Sequence, residues 1–508
     1  MLARSCCAAV IGVDAIAVTV EVDVGRGLPV FQIVGLPETA VRESRDRIRT
    51  ALRNGGYGFP KGRITVNLSP ADIRKEGTGF DLAIALGILA ASGFLPPDVV
   101  GSHLALGELS LDGRVNPVRG ALAVAALADA AHIRGLLVPL ANVAEAAASG
   151  RIPAFGIKNL GEAVDHLAGR KLLEPKEPVD FSCLNTSVWD ADLKDVAGQD
   201  HAKRALEVAA AGSHNLLMSG SPGSGKTMLA RRLPGILPPL SFDEALETSR
   251  IYSAAGLLDS STGLVVTRPF RAPHHTISDA GLVGGGSHPR PGEISLAHQG
   301  VLFLDEFPEF RKSLLDMLRQ PLEDRMLMVS RASCTVRFPA SIMLVAAMNP
   351  CPCGYADEPD GRCRCAPSAV DRYRGKISGP LMDRMDIQIE VPSLAYQDFR
   401  RAGEGESSLR VRERVVRARE IQAQRFSGRP YLCNAAMDAS AIREFCRTDY
   451  AGEKLLSYAA ESLRLSARGV SRVLKIARTI ADLEQSEALM ESHLAEAVQY
   501  RRFRPDIS

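Results

Sequence analysis

No run of about twenty consecutive apolar residues occurs in the 508-residue chain, so no membrane-spanning helix is predicted and no membrane partner is expected. Internal repeats and low-complexity tracts are also missing. The segment Met1–Val10 passes directly into strand-like alternation without a separable leader, from which we expect a cytoplasmic protein with reduced thiols. The ten cysteines make no disulfide framework. Cys6, Cys7, Cys183, Cys334, Cys433 and Cys446 stand apart, whereas Cys351, Cys353, Cys363 and Cys365 cluster. No sign of charge dominates either: a net +2 neither demands nor excludes a polyanionic partner, because the distribution of charge over the surface decides that.

What is present reads as a globular chain of about three domains. Strand-like alternation at Val18–Val24, Ile64–Leu68 and Leu104–Leu109 is interleaved with helical stretches at Thr39–Asn54, Asp81–Ala91 and Gly120–Ala131. These predict a mixed α/β domain over residues 1–168. A charged, proline-punctuated linker follows at 169–187. Short apolar strands alternating with helices predict a parallel sheet over 188–392. Proline-free helical stretches at Leu409–Phe426, Gly452–Leu465, Gly469–Glu484 and Glu491–Phe503 predict a helical bundle over 393–508.

The chemistry concentrates in the middle. A strand at Asn215–Ser219 leads into Gly220, Ser221, Pro222, Gly223, Ser224, Gly225, Lys226 and Thr227, the P-loop pattern, with helical sequence behind it. Its glycines let backbone N–H groups face phosphate oxygens, Lys226 reaches the β and γ phosphates, and the Thr227 hydroxyl suits Mg²⁺. ATP and Mg²⁺ are therefore the expected cofactors. A second strand, Val301–Leu304, ends in Asp305 and Glu306, expected respectively to hold Mg²⁺ and to orient the attacking water. A third, Ile342–Met348, ends at Asn349, suited to position that water or the γ phosphate. Charge stabilisation during hydrolysis asks for an arginine. The candidate is Arg384, in Pro380–Asp386, although an arginine beside two aspartates is also what a surface ion pair looks like.

Cys351-Pro-Cys353 and Cys363-Arg-Cys365 supply four thiols within one short segment, enough for a tetrahedral structural Zn²⁺ site, with free thiols as the alternative. Helix Leu409–Phe426 places Val411, Val415, Ala418 and Ile421 along one side, leaving Arg410, Arg414, Arg417 and Arg425 largely outward. That face is either solvated charge or a nucleic-acid contact.

The order of P-loop, Asp-Glu strand, Asn-ended strand, Leu-Met-Asp-Arg-Met-Asp and helical tail resembles AAA+ proteins of the magnesium chelatase and MCM branch. Val34–Pro37, Val66–Asp72, Pro269–Thr276 and Ala477–Asp482 look like the YifB/ComM family of magnesium-chelatase-like ATPases, across essentially the whole chain. This resemblance implies a homo-hexameric ring with ATP at its interfaces and Arg384 acting in trans. It also implies a sensor arginine in the lid, Arg468 before Arg472. ComM-type relatives imply an ATP-driven motor that moves DNA junctions by branch migration during natural transformation. Met328–Ala332 resembles the channel hairpin of MCM-like rings, with Arg331 near its tip for phosphate contact, or alternatively in a surface ion pair. The segment Thr267–Pro291, with Arg268, Arg271, His274, His275 and Arg290, suggests a second channel loop, unless its histidines serve local hydrogen bonds. The first domain resembles the Lon-type α/β fold. The positions of the Lon Ser-Lys dyad fall on Gly79 and Leu122, so a non-proteolytic scaffold is expected. Two other readings stay open: a motor subunit of a chelatase, and an AAA+ ATPase that remodels a protein partner.

Overall fold

The computed structural model describes residues 1–127, 133–181, 189, 191–286, 289–330, 335–356, 358, 361–393 and 405–501. The N-terminal part forms a seven-stranded sheet in the order Val30–Val34, Arg63–Ser69, Asp14–Gly25, Leu2–Ile11, His103–Ala105, Gly135–Pro139, Ala154–Ile157. Leu2–Ile11 and Asp14–Gly25 form an antiparallel hairpin, while the last three strands run parallel to Leu2–Ile11. Helix Asp81–Ala91 is buried along its whole length, as a helix apolar all round must be. Helix Thr39–Asn54 buries only a stripe of Val41, Ser44, Ile48, Ala51 and Leu52. The expected strand Leu104–Leu109 is divided into His103–Ala105 and Glu108–Leu109, because the Gly107 N–H leaves the sheet to donate to the Gly79 carbonyl at 2.9 Å. The helix expected at Gly120–Ala131 runs over Ala121–Ala126, and 128–132 lie outside the described residues. Leu122 is fully buried against Leu246 and Leu264 of the next unit.

The central sheet has five parallel strands in the order Phe270–Arg271, Val301–Leu304, Met343–Met348, Leu216–Ser219, Ile387–Glu390. Strands buried on both faces need continuous apolar sequence, and alternate residues feed two cores. Leu216, Met218, Phe303 and Val345 pack with helix Asp200–Gly212 and the C-terminal helices. Leu217, Leu302, Leu344 and Ala346 pack with Ile251, Leu314 and Phe338 on the other side. Between Val301–Leu304 and Met343–Met348 the chain makes an antiparallel hairpin, Met326–Ser330 with Thr335–Pro339. Val13, at the turn of the N-terminal hairpin, is buried in the same cluster as Val329, Val336 and Phe338 of this one.

The C-terminal helices are Ser408–Arg425, Ala439–Phe445, Tyr450–Ser462, Ala467–Leu483 and Glu491–Gln499, and the middle three begin at capping side chains. Asp438, Asp449 and Ser466 accept from the N–H groups of Ala441, Gly452 and Gly469. Buried Asp482 holds the bundle together, accepting from Arg425, Arg478 and Asn434. The expected outward arginine face is therefore corrected. Arg425 turns inward to the carboxylate, and Arg414 is tied to Glu207 and Glu406. Arg410 and Arg417 remain exposed. Among the described residues no helix is long and apolar enough to cross a membrane.

Candidate nucleotide site and cysteine cluster

All five core strands point their C-terminal ends at one edge, and there the P-loop bridges Leu216–Ser219 to the helix Lys226–Ala230. Gly223 and Gly225 have φ of 79° and 93°, the left-handed region that turns consecutive N–H groups inward at no steric cost. A Cβ on Gly220 would lie 2.2 Å from the Val391 carbonyl oxygen, so only glycine lets the loop leave the sheet there. The loop lines a cavity of about 660 Å³ together with Asp305, Glu306 and Asn349.

The buried Lys226 ammonium donates to the carbonyls of Gly220 at 2.7 Å and Ser221 at 2.9 Å and lies 3.4 Å from Asn349 Oδ1. Desolvation lowers its pKa to about 8 against the opposing pull of Asp305. A cation penalised in this way, beside a buried Ser221 hydroxyl without a hydrogen-bond partner, is suited to an incoming anion. Thr227 Oγ1 donates to Asp305 Oδ2 at 2.6 Å, which brings together the two oxygens that would hold Mg²⁺. Glu306 has a left-handed backbone, φ 51°, and its N–H donates to Asp305 Oδ1 at 2.9 Å.

The same cavity is lined by residues not anticipated for it. His274 and His275 stand on its wall, and His275 Nδ1 lies 3.0 Å from Glu306 Oε2. The segment read as a second channel loop is thus brought to the phosphate edge. Phe270–Arg271 pairs in parallel with Val301–Leu302, so residues just past it emerge beside those just past Leu304. Its arginines are engaged elsewhere: Arg271 clasps Glu293 at 2.6 and 2.7 Å, and Arg268 binds Glu244 and three backbone carbonyls.

Neither Arg384 nor Arg468 lines this cavity. Arg384 is buried at the base of Ile387–Glu390, paired with Glu323 and donating to the Pro380 carbonyl at 2.5 Å. Arg468 is exposed in the first turn of Ala467–Leu483. Arg472 on the same helix is committed to Asp386 at 2.8 Å. Burial pushes the Asp386 carboxyl up, but Arg472, His214 and the Asn215 N–H overrule it and hold it well below the usual carboxylate range. Arg331, near the tip of the Met326–Pro339 hairpin, lies outside the described residues, while Arg337 on the returning strand is exposed.

The four clustered cysteines converge, with all Sγ atoms within 4.8 Å of one another. Cys351 Sγ stands 3.3 Å from Cys353 Sγ and 3.8 Å from Cys363 Sγ. The backbone N–H groups of Tyr355 and Arg364 turn toward Cys353 and pull its thiol down to about 6. This knuckle leans on the phosphate loop: a Cβ on Gly354 would come within 2.6 Å of the Pro222 ring.

Comparison with known proteins agrees with this architecture. The family described as "Magnesium chelatase, subunit ChlI" matches residues 192–399, its N-terminal counterpart 20–142 and its C-terminal counterpart 405–501. The competence protein ComM of Haemophilus influenzae is 44% identical over 96% of this chain and 95% of its own. The YifB protein of Salmonella typhimurium is 43% identical over 97% and 96%. Lon protease 2 of Bacillus subtilis is 29% identical over 29% of this chain and 28% of its own, in keeping with a Lon-like N-terminal fold. With its phosphate loop, its parallel core and this full-length similarity, the chain belongs to the YifB/ComM family of magnesium-chelatase-like AAA+ ATPases.

Proposed function

We propose that the protein is a cytoplasmic, ATP-driven DNA motor that moves branched junctions as a homo-hexamer. In this reading the P-loop and Lys226 hold the triphosphate, Thr227 and Asp305 hold Mg²⁺, and Glu306 orients the attacking water, with Asn349 against the γ phosphate. Mg²⁺ held there would neutralise charge on the phosphate oxygens. Arg384 exchanges its pairing with Glu323 for the phosphate of a neighbouring subunit, and Arg468 approaches from the lid. Residues 1–168 act as a non-proteolytic scaffold, joined through the linker 169–187 to the ATPase core 188–392 and the lid 393–508. The observation that carries the DNA reading is the Met326–Pro339 hairpin. One face is buried through Leu327, Val329, Val336 and Phe338, and the other presents Met328, Ser330, Thr335 and Arg337 outward. A hairpin rooted between the Asp-Glu strand and the Asn strand couples hydrolysis to whatever its tip grips, with Arg331 as the phosphate contact.

The test is a labelled four-way junction incubated with ATP and native protein or Lys226→Ala. ATP-dependent branch movement by the native protein alone supports the motor. Vigorous ATPase without movement or DNA stimulation refutes it in favour of a chelatase-like or protein-remodelling role. The cysteine knuckle fits a structural Zn²⁺, since four thiols within ligand reach and two N–H donors to sulfur are what a tetrathiolate site uses. Metal analysis of unchelated protein should then give one zinc per chain, falling in Cys351→Ser. Far less than one overturns the assignment.

A further inference from the structure

A second cavity, of about 320 Å³, opens at the opposite edge of the central sheet, where Gly300 and Met343 mark the N-terminal ends of two core strands. Its walls come from the root of the hairpin, through Arg325 and Met326, and from the lid, through Arg419 and the segment Pro430–Cys433. The charges lining it do not balance. Glu244 is taken up by Arg268 at 2.8 Å, and Glu247 Oε2 lies 3.0 Å from His298 Nε2. Arg325 and Arg419 face the same space with no carboxylate partner among the described residues. Among the described residues Arg419 donates to the Ala210 carbonyl alone, at 3.1 and 3.3 Å, and Arg325 donates to Cys433 Sγ at 3.8 Å.

The Cys433 thiol sits in the field of these two guanidiniums. Burial alone drives a thiol up, yet the guanidiniums of Arg419 and Arg325 outweigh it and leave Cys433 below its ordinary value. Two guanidiniums lining one cavity, without carboxylate partners among the described residues, suit the oxygens of a phosphoryl group. The volume matches the lower end of small-ligand sites, roughly 300 Å³ upward.

We propose that this cavity is a second anion site, separate from the P-loop, which takes a phosphoryl group between Arg325 and Arg419 and so bridges the hairpin root to the lid. The phosphoryl group belongs either to a small free molecule or to a nucleic-acid strand. This assignment does not depend on the function of the P-loop, and it is tested where the P-loop is silenced.

In full-length Lys226→Ala protein, pyrophosphate binding would be measured by calorimetry, and iodoacetamide modification of Cys433 would be followed by peptide mass spectrometry. We expect saturable pyrophosphate binding that slows Cys433 modification several-fold, with both effects lost on adding Arg325→Gln or Arg419→Gln. Arg419→Lys, which keeps the charge without the fork, should bind more weakly while preserving the circular dichroism spectrum. Protection by pyrophosphate identifies a small free anion, and protection by a short oligothymidylate alone identifies a strand phosphate. Protection by neither, or pyrophosphate binding unaffected by both Gln variants, overturns the proposal.

Discussion

Lys226 gives the site a pH dependence that can be worked out in advance. Its ammonium is desolvated by the loop it braces and titrates at about 8, against an ordinary 10.5. Only the charged form attracts a triphosphate, so affinity is fully present below that value and is lost as pH rises through it. One unit above, about a tenth of the lysine is still protonated, and affinity should fall about tenfold, or about 1.4 kcal/mol. The nucleotide does not confound this, because its phosphates are already fully ionised there. Calorimetry of a non-hydrolysable ATP analogue in buffers of different ionisation enthalpy should also record uptake of about half a proton per binding event when the pH equals the lysine pKa. Lys226→Arg, permanently charged, should flatten the profile. A flat profile in the native protein, or no proton uptake, would refute the desolvation argument.

Two further perturbations follow from the geometry. Asp482→Ala leaves the guanidiniums of Arg425 and Arg478 buried without their shared carboxylate, and should cost about 3–5 kcal/mol of lid stability by chemical denaturation. A loss under about 1 kcal/mol would mean that water compensates the pair. His275→Gln removes the ionisable partner of Glu306 but keeps a hydrogen-bond donor. It should lower kcat for ATP while leaving nucleotide affinity within about twofold, and an unchanged kcat would remove His275 from the water-positioning machinery.

How much of this was legible in the sequence depends on the range of each interaction. The P-loop, the Asp305–Glu306 pair and Asn349 are local patterns at strand ends, and parallel strands gather such ends at one edge automatically. In the first domain, the strands at Val18–Val24 and Ile64–Leu68 and the helices Thr39–Asn54 and Asp81–Ala91 follow from periodicity, whereas Gly107 breaks the ladder for a distant partner and the helix expected at Gly120–Ala131 runs over Ala121–Ala126. His275 escaped because its meeting with Glu306 depends on Phe270–Arg271 lying next to Val301–Leu304, a pairing that no local spacing states. The available signal was the adjacent pair His274-His275, three residues past Phe270–Arg271 and ahead of the Asp-Glu strand in the chain. Arg425 was misplaced for a related reason. At 3.6 residues per turn it falls within about 40° of Val411, on the apolar side of the helix, and what permits a cation there is an aspartate 57 residues further on, at Asp482. The same contact gives Ala477–Asp482 a physical meaning as the place where the lid stores its buried charge.

The turn at Gly12 and Val13 has a consequence for dissecting the protein. Val13 completes a hydrophobic cluster with Leu327, Val329, Val336 and Phe338, residues more than three hundred positions away. A chain severed in the 169–187 segment would leave those side chains without their cover, a sticky scar at the foot of the hairpin. The ATPase half is therefore not a detachable cassette: that seam closes only when the 326–339 hairpin meets the turn at Gly12 and Val13.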